Sequence, residues 1–138
     1  MAIITEKVSI STKGFTDIID ITNKLNDLVV NNKITMANMC VFVVGSTAAI
    51  TSLEYEPGLI KDLPEAFETI APVNKNYMHN QKWHDGNGYA HIRASIVGNS
   101  MNIPVIEGRM MLGTWQQVVL IDFDNKPRTR TIVVQFMY

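Results

Sequence analysis

The most restrictive stretch of this chain is its end. Two runs rich in Val, Ile, Leu and Phe, 117–123 and 129–136, flank Asp124-Asn125-Lys126-Pro127. Branched and aromatic side chains suit a pleated strand, and an Asp-Asn-x-Pro cluster suits a turn. The first run, QVVLIDF, is apolar almost without interruption. The second, RTRTIVVQF, begins by alternating and then turns continuously apolar, so its second half is expected to be buried on both faces. A core of this size hardly needs both faces of the two final strands buried within one subunit, so contacts between copies of the chain are expected to cover part of them.

The rest of the chain adds further strands and helices. Residues 3–11, 39–44, 103–106 and 109–112 read as strands, and STAAITSLEY after Gly45 reads as another. Ile21, Leu25, Leu28 and Val29 recur at helical spacing behind Asp20, an expected N-cap. DLPEAFETIA reads as a helix with Pro64 in its first turn and Pro72 beyond its end. Six or more strands and two or three helices that do not alternate regularly predict an α+β fold, mostly an antiparallel sheet or sandwich. With 138 residues and no linker or repeat, residues 1–138 are expected to form one domain.

Charge and cysteine content narrow the function. Twelve basic and 13 acidic residues leave a net charge of −1, which offers no general attraction to nucleic acid or an anionic membrane. No apolar run approaches the ~20 residues of a membrane span. MAIITEKVSI lacks the basic-then-apolar pattern of a secretory signal, so a cytoplasmic location is expected. The single cysteine, Cys40, lies in the apolar run MCVFVV and is expected to be a small core residue.

All three histidines, His79, His84 and His91, fall within NYMHNQKWHDGNGYAHIRAS, together with Asp85 and Asn87. Imidazole and carboxylate donors in one window are candidate ligands, provided that they converge within about 2.0–2.2 Å of one ion. His84 and His91 are seven residues apart, roughly 10 Å along a continuous helix, so a shared site needs a break between them. Gly86 and Gly88 provide it. The expectation is a folded loop over 79–88, a helix over 89–97 ending at Gly98, and His91 in its first turn. Asp85-Gly-Asn-Gly88 is expected to be a tight turn that delivers Asp85 to the site, with positive φ at glycine and Asn87 capping the helix. The window contains no EF-hand, because Tyr89 and Ile96 stand where oxygen ligands would be needed. HExxH, Cys-x-x-Cys, P-loop and GxGxxG motifs are absent from the chain.

A longer signature runs through the chain: Tyr77-x-His79, Asn87 four before His91, His91-Ile-Arg93-Ala-Ser95, Gly98-x-Ser100, Pro104-Val105, Gly108-Arg109 and Gly113-Thr-Trp-Gln116. Asp20-Ile-Thr22, the stretch Ser46 to Thr51, Glu54 and Asp62-Leu63 precede it, and a basic strand closes it. In this order the chain resembles the YjbQ family, whose members are often described as secondary thiamine-phosphate synthases; GSTAAITSLEYEPG with WHDGNG is similar to its archaeal branch. The resemblance covers nearly the whole chain. It implies a compact α+β fold, a homotrimer or higher homo-oligomer, a polar site around the histidines and a weak thiamine-phosphate-forming side activity. Many members carry His where this chain has Gly45, and His84 is a candidate to stand in for it.

Two functions follow as expectations. The first is a metal-binding transferase acting on small phosphorylated substrates. Joining a pyrimidine pyrophosphate to a thiazole phosphate requires stabilisation of the departing pyrophosphate and of a cationic methylene. Ser46, Thr47, Asn87, Arg93 and Arg109 are the candidate phosphate and substrate binders. Glu54 and Asp85 are candidate acid–base groups, and His79, His84, Asp85 and His91 are candidate metal ligands. Histidine donors suit zinc better than magnesium, which prefers oxygen and water. The second function is a non-enzymatic oligomeric module that binds a metal or a small ligand. A metal-bound hydroxide would also suit hydrolysis at the same site.

Overall fold

The computed structural model describes residues 1–138. In chain order the elements are β1 (Ile3–Thr12), β2 (Asp17–Asp20), α1 (Thr22–Asn31), β3 (Met36–Val43), β4 (Ala48–Leu53), α2 (Pro57–Ile70), α3 (Met78–Trp83), α4 (Gly88–Val97), β5 (Ser100–Ile106), β6 (Arg109–Met110), β7 (Gln117–Asp122) and β8 (Arg128–Met137). Every strand pairing is antiparallel. The strands form a five-stranded sheet, β1-β8-β3-β5-β6, and a three-stranded sheet, β2-β7-β4. This is the expected α+β fold, with the six-residue α3 as a fourth helix inside the stretch read as loop.

β7 explains the layering. Val118 and Leu120 point into a core shared with the larger sheet and α1, whose Leu25 and Val29 are buried there. Val119 and Ile121 point the other way, into a second core with Phe67 of α2 and Tyr89, Ala90 and Ala94 of α4. The small sheet is therefore sandwiched between the large sheet and two helices. A single chain buries both faces of β7. In β8 the alternation persists to the end: Arg130, Ile132, Val134 and Phe136 face inward, while Val133, Gln135 and Met137 are half-exposed on the outer face. The expected two-sided burial of that strand is not observed. Cys40 shares the outer face, half-buried between inward-facing Met39 and Val41, so it is not the core residue that the apolar run suggested.

Local signals shifted some boundaries. Pro57, not Pro64, opens α2; Glu56 accepts the N–H groups of Gly58 and Leu59, and Pro64 lies inside the helix. A proline at the first helical position loses no helical bond, which makes Pro57 the better start. Asp20 acts one residue further out than expected, accepting the Thr22 N–H at 2.9 Å while Ile21 occupies the N-cap.

Candidate functional site

α3 carries His79 and α4 carries His91. The two helices approach closely because Gly88 has no side chain. A Cβ there would lie 2.7 Å from Tyr77 Cβ and 2.9 Å from Asn80 Oδ1. Asn80 Oδ1 instead accepts the Gly88 N–H at 2.9 Å, satisfying a free donor at the start of α4. Gly88 is thus required for contact, not for positive φ. Within the turn, positive φ falls on Gly86 (69°) and on His84 (59°). Asn87 occupies the N-cap position but makes no side-chain cap bond. Its Nδ2 donates to Asp124 Oδ1 at 3.1 Å, which ties the turn to the end of β7. Asn125 Nδ2 donates to Asp85 O at 2.7 Å and fastens the other side.

This packing sets the His79 and His91 rings 4.4 Å apart, centroid to centroid, at a 43° tilt. Asp85 Oδ1 lies 3.4 Å from His79 Nδ1, which has no well-aligned hydrogen-bond partner although it is buried. Burial lowers the His91 pKa below the usual 6.5, and the neighbouring His79 lowers it further, against an opposing pull from Asp124 and Asp85. His91 is therefore a neutral imidazole at pH 7. His84, at the end of α3, is exposed. No three His, Cys, Asp or Glu side chains gather so that they could hold one metal ion. Within one chain, His79 and His91 are a pair, with Asp85 beside His79, and His84 completes no larger set.

Behind the pair lies a buried polar array that the sequence reading missed. Asp122, Asp124 and Arg130 are 0%, 1% and 7% exposed. Arg130 Nε donates to Asp122 Oδ2 at 2.7 Å, and its Nη2 donates to Asp122 Oδ1 at 2.9 Å and to Thr47 Oγ1 at 2.7 Å. Thr47 Oγ1 donates in turn to Asp124 Oδ2 at 3.0 Å, and Arg128 Nε donates to the same oxygen at 2.9 Å. Burial alone would raise the Asp124 pKa. Hydrogen bonds from Asn87, the Asn125 N–H, Thr47 and Arg128 outweigh it and hold the carboxyl below its ordinary value. A signal was present in DFDNKPRTR: two acids at i and i+2 before a turn, and two arginines at i and i+2 after it, can meet across the chain reversal.

The remaining candidates are dispersed. Ser46 is exposed and, with Gly45, Ser95, Gly98 and Asn99, borders a cavity of about 400 Å³ between the β3–β4 turn and α4. Thr47 faces inward to the array and not to that cavity. Glu54 follows the far end of β4, roughly 20 Å from Thr47 at about 3.3 Å per residue. Arg93 is buried, and its guanidinium donates to Ala71 O, Thr16 Oγ1 and Glu68 Oε2, which leaves it locking the α2–α4 junction. Arg109 is exposed on β6, the sheet's edge, 3.8 Å from Glu107.

The comparisons with known proteins agree with one another. A family model described as UPF0047 protein YjbQ-like matches residues 6–138. The chain is similar to a UPF0047 protein of Archaeoglobus fulgidus, 34% identical over 94% of this chain and 98% of the relative. It is also similar to one of Methanothermobacter thermautotrophicus, 35% identical over 97% and 92%. Among solved structures, a YbjQ-like protein of unknown function from Sulfolobus solfataricus superposes with a TM-score of 0.88 at 28% identity, covering 98% of both chains. A YjbQ/UPF0047 protein from Clostridium acetobutylicum gives 0.86 at 30% identity, over 96% and 99%.

Proposed function

The chain belongs to the YjbQ-like UPF0047 family, and on that premise we propose that the His79–His91 pair, where α3 meets α4, is a proton-transfer site for a small phosphorylated molecule. The observation that supports this reading is the paired imidazoles, 4.4 Å apart, one of them with a lowered pKa. A neutral imidazole at pH 7 is competent to accept a proton from a bound group. Asp85 at Nδ1 favours the His79 tautomer that carries its hydrogen there, leaving Nε2 as the acceptor.

A divalent ion is the proposed partner of the same pair. His79 and His91 would hold it, and neutral imidazoles suit zinc better than magnesium. The ion would supply polarisation of a phosphate oxygen. The fit is to two of its ligands only, since structural and catalytic zinc sites normally have at least three protein donors, so no reaction step is assigned to it.

The test is turnover. The wild-type protein is expected to convert one or more phosphate esters, with thiamine-phosphate formation the reaction to assay first. His79→Ala and His91→Ala are each expected to lose that turnover and any stoichiometric metal while keeping the fold. Full activity in both variants would overturn the reading. Phosphate binding with no turnover of any ester would instead identify a non-enzymatic ligand-binding module.

A further inference from the structure

We propose that Arg130 grips the ligand's phosphate, presenting Nη1 to the cavity through the gap left by the missing side chain of Gly45. This rests on the phosphorylated-ligand reading above but uses different residues. Nε and Nη2 of Arg130 are committed to Asp122 and Thr47, whereas Nη1 has no protein acceptor and is not sealed off from solvent. Three bonds to buried groups fix the guanidinium plane, so the free nitrogen points in one direction. That direction is toward Gly45: a Cβ built there would lie 2.6 Å from Nη1. Any other residue at position 45 would cover the donor, and its φ of +136° is one that side-chain-bearing residues rarely adopt. Gly45 itself lines the cavity of about 400 Å³, together with Ser46 and Ser95, and Arg130 stands directly behind it.

The chemistry of the donor selects the ligand group. A guanidinium nitrogen only donates, and its bonds to phosphate oxygens are charge-assisted. The carboxylates of the array do not compete for the site from within. Both oxygens of Asp122 and both of Asp124 are engaged by protein donors. Burying such an array is costly, and a well-packed apolar replacement is often as stable. A nearly enclosed Arg with one open donor is therefore better explained by binding than by stability. Ser95 Oγ donates to His91 O one helical turn earlier, which puts the imidazole pair on the order of 6 Å further along α4. A phosphate at Gly45 would thus leave the rest of a small molecule lying toward His91.

The experiment titrates the intact protein with inorganic phosphate and pyrophosphate, following the Gly45 and Ser46 amides and the Arg130 side-chain N–H signals by NMR. These signals are expected to move saturably in the wild type. Gly45→Ala and Arg130→Lys are each expected to weaken binding about tenfold or more, the effect of losing a charge-assisted bond. Lys82→Ala, at an exposed position of α3, is expected to leave phosphate affinity within about twofold. Should Arg130→Lys fail to fold because Asp122 loses its partner, Gly45→Ala and the wild-type shifts decide the matter. The proposal is overturned if phosphate moves none of these signals, or if Gly45→Ala binds as tightly as the wild type. Because the probes need no turnover, an inactive protein that still binds phosphate here would sink the proton-transfer reading and leave this one standing.

Discussion

At the scale of single residues, burial decides the chemistry. His91 sits between α4 and the His79 ring, and its pKa is lowered first by desolvation and then by that neighbour. Titration by NMR should place it below 6.5 in the wild type. In His79→Ala it should rise, since the neighbour and part of the burial are both removed; a wild-type value at or above 6.5 would contradict the geometry. The consequence for stability has a definite sign. The unfolded chain takes up the proton first, so this contribution is intact above pH 6.5 and is lost as pH falls from 6.5 through the folded-state value. Asp124, also lowered, acts the same way in a separate window below its ordinary 3.8. Tyr89 offers a contrasting case. It is 1% exposed, and its hydroxyl has no protein partner. Tyr89→Phe should therefore leave the melting temperature unchanged or raise it slightly, because a buried unpaired hydroxyl costs about 1–3 kcal/mol. A marked fall in melting temperature would show that the hydroxyl is paired with an ordered water.

At the scale of elements, the α3–α4 corner depends on a bare Cα. Gly88→Ala must move Tyr77 or Asn80, because its Cβ would lie under 3 Å from each. The expected loss is about 1–3 kcal/mol, as for other overpacked sites, measured by urea unfolding. The same variant should also bring the His91 pKa closer to 6.5 by prising the helices apart. Lys82→Ala, on the exposed side of α3, should change stability by no more than about 0.5 kcal/mol. If the two substitutions behave alike, the close approach does not hold the histidines together.

At the scale of the whole molecule, the outer face of the five-stranded sheet has no covering layer within the chain. Ile3, Met36, Phe42 and Ile106 are exposed there, at 53%, 68%, 37% and 44%, with Val133 and Met137 half-buried between them. We propose that a homo-oligomer, a trimer or larger, covers part of this face. Specific interfaces usually bury about 1,200–2,000 Å² in total, and a sheet face of this width can supply its share. Sedimentation should show an assembly at micromolar concentration, dissociated by Phe42→Lys. A stable wild-type monomer would refute it. β7 needs no partner copy, although its apolar run suggested one, because both of its faces are covered by the chain's own large sheet and helices.

Much of this molecule was legible one residue at a time, because local physics is written locally. Alternation and branched side chains announced β1, β3, β7 and β8. The glycines of Asp85-Gly-Asn-Gly88 announced the break that lets His91 start a new helix, and the ordered signature from Tyr77 to Gln116 announced the family. What could not be read were relations between distant segments. The sequence does not show that Gly88 is needed to meet Tyr77, since helical φ permits any residue there. It does not show that Arg93 is consumed by Ala71 and Glu68, or that Glu54 and Arg109 lie away from the histidines, because these facts follow from how α2, β4 and β6 are placed. The buried array joins Thr12, Thr47, Asn87, Asp122, Asp124 and Arg130 across as many as 110 positions of chain. Only the tertiary structure decided it, because a buried charge finds its partner in space, where the cost of desolvation is met by whichever donors the packed sheets and helices bring within reach.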